Sequence, residues 1–173
     1  MKISRRYAGS GLTIRKNKDI VNADSAKDYI FKLLGRRDYP QQYLTGKLRE
    51  KGCPPQIVSQ VIRYFKKQDL INDKKFAYAY ARKRVTCKPR GMYLLDHELQ
   101  DKGIDKFLRS EVIKKVYSEK PEEELIKQVV KKKYGKILRH REFMARACRF
   151  LMRRGFSAQA ISSVFSQKGN FNE

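Results

Sequence analysis

Tryptophan is absent from this chain, histidine occurs twice, cysteine three times and proline only five times in 173 residues. Each shortage excludes something. His97 and His140 are the only histidines and neither pairs with a cysteine at short spacing, so no metal-ligand motif is formed. Cys53, Cys87 and Cys148 are odd in number and contain no C-x-x-C, which excludes a disulfide scaffold and fits a reducing, cytoplasmic setting. No apolar run is long enough to span a bilayer, and the N-terminus lacks a signal-peptide core. Neither G-x-x-x-x-G-K-[ST] nor G-x-S-x-G occurs, so there is no phosphate-cradling loop of that type and no nucleophile elbow. Glu122-Glu123-Glu124 reads as helix-start charge and not as a catalytic pair. The expectation is a protein with no catalytic residues, no cofactor and no metal.

Acidic residues are also scarce. Asp and Glu total 18 against 41 Lys and Arg, a net charge of +23. Such a charge repels itself, and its economical explanation is a polyanionic partner: nucleic acid first, then an acidic protein or a membrane surface. The charge is clustered. Residues 131–154 hold ten Lys or Arg against the single acid Glu142, and residues 82–90 hold Arg82, Lys83, Arg84, Lys88 and Arg90 with no acid.

What is present in abundance is repetition. Leu48-Arg-Glu-Lys-Gly52, Leu99-Gln-Asp-Lys-Gly103 and Leu151-Met-Arg-Arg-Gly155 place their glycines 51 and 52 residues apart. A period of that length means a helical array. The match continues beyond each glycine: Ile57, Leu108 and Ala160 at five residues, Val61-Ile62, Val112-Ile113 and Val164-Phe165 at nine and ten. At six residues Val58 and Ile161 correspond to Arg109, the one break. These offsets keep one helical face. A Gly after a helix supplies the left-handed residue that stops it. Pro54-Pro55, Asp105 and Ser157 then signal the next helix start.

A further helix precedes each pair, carried by Ala26, Tyr29, Ile30, Leu33 and Leu34, by Phe76, Ala77, Tyr80 and Ala81, and by Leu125, Ile126, Val129 and Val130. Asn72-Asp73 caps the second unit; Ser118 and Pro121 open the third. The reading is all-α: three tandem three-helix repeats over 25–72, 73–120 and 121–173, stacked into an elongated, curved array. Each unit has few apolar residues, so the units are expected to bury their faces on one another. Residues 1–24 form a basic lead-in whose Ile3, Leu12, Ile14, Ile20 and Val21 leave short strands, packing on the first unit, and disorder all open.

Four phrases resemble those of the RecX regulatory proteins. Asp69-Leu-Ile-Asn-Asp73-Lys-Lys-Phe76-Ala77-Tyr-Ala-Tyr80-Ala-Arg82-Lys-Arg84 is similar to the segment joining that family's first two repeats. Leu95-Asp-His-Glu98-Leu99-Gln-Asp-Lys102-Gly103-Ile104 matches its central E-L-x-x-K-G-I phrase. Phe150-Leu151-Met-Arg-Arg154-Gly155-Phe156-Ser157 matches its C-terminal phrase, and Tyr43-Leu44-Thr-Gly-Lys47-Leu48-Arg-Glu-Lys51-Gly52 its first-repeat phrase, with Tyr43 where an acid is common. The resemblance implies an all-α protein that binds the RecA recombinase, above all its filament on single-stranded DNA. Lodged in the filament groove, such a protein limits filament growth and damps strand exchange, co-protease activity and the SOS and DNA repair response. It works in the bacterial cytoplasm without a cofactor, and an array of this size is expected to be a monomer.

Within that frame the candidate phosphate contacts are Arg82, Arg84 and Arg90 in the second unit and Lys131, Lys132, Arg139, Arg141, Arg146, Arg149, Arg153 and Arg154 in the third. Arg149 and Arg153 are four residues apart and share a helix face. Arg154, Lys51 and Lys102 precede the turn glycines, where they equally complement a helix C-terminal dipole. Phe76, Tyr80 and Phe150 read as core. Tyr78 falls off that stripe and is a candidate to stack on an unpaired base. Two rival readings stay open: a helix-turn-helix-like or non-specific DNA-binding protein acting directly on DNA, and a helical adaptor for an acidic protein.

Overall fold

The computed structural model of the chain describes Ile20, residues 22–134 and residues 141–166, with the side chains of residues 141–143 left out of the account. Among the described residues there are nine helices and no strand: α1 Ala23–Leu34, α2 Gln41–Glu50, α3 Pro55–Lys67, α4 Asp73–Cys87, α5 Met92–Asp101, α6 Lys106–Glu119, α7 Glu122–Tyr134, α8 Arg141–Arg153 and α9 Ala158–Ser166. They form three tandem three-helix units. In every unit the third helix packs on both the first and the second.

The three glycines do what their position requires. Gly52, Gly103 and Gly155 all have left-handed backbones, at φ 70°, 77° and 78°. Each closes the same double hydrogen bond. The glycine N–H donates to Arg49, Gln100 or Met152, and the next residue's N–H reaches back to Leu48, Leu99 or Leu151 at 3.1, 3.1 and 3.2 Å. The residue after each glycine (Cys53, Ile104, Phe156) is buried, which supplies the apolar contact of this helix-ending motif. Asp69 ends α3 in the same left-handed way without a glycine, at φ 55°. Asn72 donates to its carboxylate at 2.6 Å and Lys75 pairs with it.

Helix starts follow their side chains. Asn22, Asn72 and Asp105 accept from the backbone N–H groups of Ser25, Lys75 and both Phe107 and Leu108. Ser157 Oγ accepts from Ala160 N–H at 3.2 Å.

The core departs from expectation. The second and third units share one apolar interior, from Ala77 and Leu95 through Val116, Leu125 and Val130 to Leu151 and Val164. The first unit has its own, built on Ile30, Leu44, Leu48, Val61 and Phe65. It gathers enough apolar residues because Ile20, Cys53 and Ile71, from outside its helices, close it. Ile20 also donates its N–H to Lys51 O at 2.9 Å, tying this part of the lead-in to the first unit. Ile3, Leu12, Ile14 and Val21 lie outside the described residues.

Candidate nucleic-acid and filament interface

Polar joints hold the units in register, and they decide which cations remain available. Asp73, the first residue of α4, accepts the N–H of Gln41, the first residue of α2, at 2.8 Å. Glu122, the first residue of α7, accepts the N–H of Met92, the first residue of α5, also at 2.8 Å. One connector is thus used twice. The opening acids of the second and third units each cap the second helix of the unit before, where free N–H groups and the helix dipole favour negative charge. Glu122 is buried, at 3% exposure, and its other oxygen accepts from Ser157 N–H at 3.1 Å.

At the joint between the second and third units the chains touch backbone to backbone. Gly91 N–H donates to Arg154 O at 2.9 Å and Tyr93 N–H to Gly155 O at 3.1 Å. A Cβ on Gly155 would lie 2.2 Å from the Leu94 nitrogen. The corresponding turn at Gly103 meets the side chain of Gln42 in the first unit.

Several candidate arginines sit in this scaffold. Arg84 Nε donates to Tyr80 OH at 2.9 Å, and Tyr80 donates to Glu98 at 2.9 Å. The bond to Tyr80, with the charge of Glu98 adding, raises the Arg84 pKa. Arg90 Nε is buried 3.4 Å from Glu98 Oε1, an ion pair without a hydrogen bond. Arg154 donates to Pro89 O at 3.2 Å and lies over the Phe150 ring; burial and the nearby Arg90 lower its pKa. Arg90 and Arg154 therefore meet at the second-to-third joint, while Arg84, bound within the second unit, lines the cleft toward the first. Arg82 faces elsewhere, paired with Glu119 at 3.3 Å.

Five further candidates of the third unit face solvent. Lys131 and Lys132 on α7 and Arg149 and Arg153 on α8 are exposed and form no ion pair among the described residues. Arg146 is exposed as well, and the spacing of Arg146, Arg149 and Arg153 sets them on one stripe of α8, away from buried Ala147 and Leu151. Arg141 opens α8, and Arg139 lies outside the described residues.

Tyr78, the residue singled out for base stacking, donates to Glu111 at 3.1 Å, lies under Lys115 and packs against the shared core. Arg109, the break in the repeat, stands at a core-facing position. It satisfies itself there by donating to Asp96 at 2.8 Å and to Ile104 O at 2.9 Å.

Sequence reasoning passed over a basic cleft in the first unit. A trough of about 630 Å³ between α2 and α3 is lined by Arg49, Arg63, Lys66 and Lys67 beside Thr45 and Ser59, and no carboxylate lines it. A shallower extension of about 340 Å³ shares Arg63 and Lys67 and adds Tyr64. The signal was available: Arg63, Lys66 and Lys67 stand at i, i+3 and i+4 on one helix. They are dispersed in an otherwise apolar stretch and escape a search for charge runs.

Three domain models of one family match the chain in order and cover most of it. The first three-helix domain of RecX matches residues 26–65, the second 72–113 and the third 121–165. The chain belongs to the RecX family. The protein named regulatory protein RecX of Caldanaerobacter subterraneus is 27% identical over 163 residues, spanning 91% of this chain and 79% of its own. Its counterpart in Vibrio vulnificus is 29% identical over 147 residues, 83% of this chain and 93% of its own. That of Bacillus subtilis is 32% identical over 121 residues, 69% of this chain but 46% of the longer relative.

Solved RecX structures share the fold. RecX from Lactobacillus salivarius superposes with a TM-score of 0.76 at 21% identity, covering 84% of this chain and 95% of that one. A second structure, of regulatory protein RecX, gives 0.72 at 20% identity, covering 84% and 72%. The three-unit fold is thus a RecX fold, and the chain falls within a family of regulatory proteins. No helix among its described residues is long and apolar enough to cross a membrane.

Proposed function

We propose that this RecX-family chain binds the RecA filament on single-stranded DNA in the cytoplasm and restrains it, lowering strand exchange and the downstream repair response. The observation that carries the reading is the run of three RecX domain models in unbroken order. The charge supports it independently. A nucleoprotein filament offers a helical groove with phosphate within, and the outer stripe of α8, the exposed lysines of α7 and the first-unit trough together present cations on at least two units. The decisive test adds purified protein, below one copy per recombinase, to preformed filaments and follows ATP hydrolysis and strand exchange. Both should fall. Unchanged rates at one copy per recombinase would reject the proposal.

A second reading, direct DNA binding without the recombinase, is favoured by the net charge of +23. It expects comparable affinity for DNA with recombinase present or absent, and its helix-turn-helix form expects a sequence-specific footprint on duplex. The three second-to-third helix turns argue against that form. Their third helices open with unlike residues, Pro55-Gln-Ile, Lys106-Phe-Leu and Ala158-Gln-Ala.

A further inference from the structure

Between the first two units the apolar interior is interrupted, and a cleft of about 660 Å³ opens there. That volume lies within the range of ligand clefts, roughly 300–1,000 Å³. Its walls carry two aromatic pairs. On the first-unit side Tyr39 and Tyr43 stack with centroids 4.5 Å apart and planes 5° from parallel. On the second-unit side Phe76 and Tyr80 stack at 5.9 Å and 19°. Cations surround both pairs. The Arg37 guanidinium lies 4.7 Å from the Tyr39 ring centre, and Lys102 Nζ lies 4.8 Å from that of Tyr80. Lys83 and Lys88 also line the cleft and form no ion pair among the described residues. Only two acids line it, Asp38 and Asp101, and Asp101 is engaged by His97 at 3.2 Å.

The geometry points to this cleft as a seat for one or two unpaired bases of a single-stranded nucleic acid, stacked against Tyr43 and its partner ring while the flanking phosphates meet Arg37, Lys83 and Lys88. Two independent features converge on that ligand. Flat rings alone would suit any apolar group, and cations alone would suit any polyanion. A flexible strand carries both a ring and a phosphate in every repeat, and proteins that hold such strands combine stacking platforms with a basic track. Duplex is excluded from the proposal because its bases are already stacked and its width exceeds a cleft of this volume. The aromatic residues belong to α2 and α4 and the segment before α2, so the platform exists only where the two units meet. Tyr43, 39% exposed, is the most accessible of the four. The proposal deepens the filament reading by naming where the strand's bases go. The arms of its test that read base binding contain no recombinase, so either can fail alone.

The experiment measures affinity of the full chain for a fluorescent oligothymidine and for an abasic strand of equal length, using wild type, Tyr43→Ala and Tyr43→Phe, with helical content checked by circular dichroism. Stacking predicts that Tyr43→Ala weakens oligothymidine binding about fivefold or more, leaves abasic binding unchanged, and is rescued by Tyr43→Phe. A 2-aminopurine strand should be quenched by wild type and not by Tyr43→Ala. If Tyr43→Ala binds both strands like wild type, or weakens both equally, the base seat is wrong. If it weakens binding to DNA-free recombinase while sparing oligothymidine, the cleft takes a protein segment and the proposal is overturned.

Discussion

Glu122 accepts the backbone N–H of Met92 at 2.8 Å, joining the start of α7 to the start of α5 across two units. Because its second oxygen also accepts from Ser157, one buried carboxylate orders three helices. Removing it strands two backbone donors in a dry joint. Glu122→Ala should lower stability by roughly 2–4 kcal/mol. Exposed Glu124, two residues on, should lose less than about 1 kcal/mol on the same change. Urea unfolding of the two variants checks the contrast, and equal losses would remove Glu122 from its role.

The turn glycines should respond unequally to alanine. A Cβ at Gly155 meets the Leu94 backbone, which cannot give, so Gly155→Ala should lose more than roughly 2 kcal/mol. At Gly103 the obstacle is the Gln42 side chain, which can swing away, leaving the left-handed penalty of roughly 1–2 kcal/mol. Gly46 lies inside α2 with nothing within 4 Å of a Cβ, and Gly46→Ala should stabilise by roughly 0.5–1 kcal/mol. Thermal melts of the three variants should rank in that order.

Tyr117 supplies a pH dependence. Its hydroxyl donates to Arg90 O at 2.7 Å, and burial, with the Glu122 and Glu98 charges adding, pushes its pKa far above the ordinary 10.0. The folded state therefore keeps a proton that the unfolded chain releases near pH 10, so the contribution is whole below that pH and fades as pH rises. Tyr117→Phe should lose about 1 kcal/mol at neutral pH from the missing hydrogen bond. The gap between wild type and variant should shrink between pH 9 and pH 11. A gap that widens would contradict the assignment.

Arg149 and Arg153 are exposed on one face of α8 and make no ion pair among the described residues. Reversing both to Glu should weaken binding to single-stranded DNA or filament while leaving helical content intact. Affinity of the wild type should fall with salt at a slope of about −0.7 per phosphate neutralised, and the double variant should have a shallower slope. A salt-insensitive affinity would defeat the electrostatic account.

The parts of this fold that the sequence disclosed are those set by one residue's own chemistry. A left-handed stop needs a glycine, so Gly52, Gly103 and Gly155 announced the three units; Asn72, Asp105 and Ser157 announced helix starts. What stayed hidden depends on two distant residues meeting. Glu122 in a run of three acids looks like ordinary helix-start charge until Met92 and Ser157 arrive beside it. Arg109 looks like a lapse in the apolar pattern until Asp96 pairs with it. The basic run at 82–90 could not reveal that Arg84 and Arg90 turn inward to Glu98, nor that Tyr78 would be engaged by Glu111. Tyr39 precedes α2 and Tyr43 lies within it, and from that stretch neither the facing wall of Phe76 and Tyr80 nor the surrounding cations could be read.

The divided interior has a mechanical consequence. The last two units share their oil, while the first keeps its own and meets the second through the polar Asp73–Gln41 connector. Local opening should therefore part the molecule most readily at this boundary, where the cleft lies. A strand gripped there would oppose such opening, and amide exchange at Gln41 would slow when it is bound.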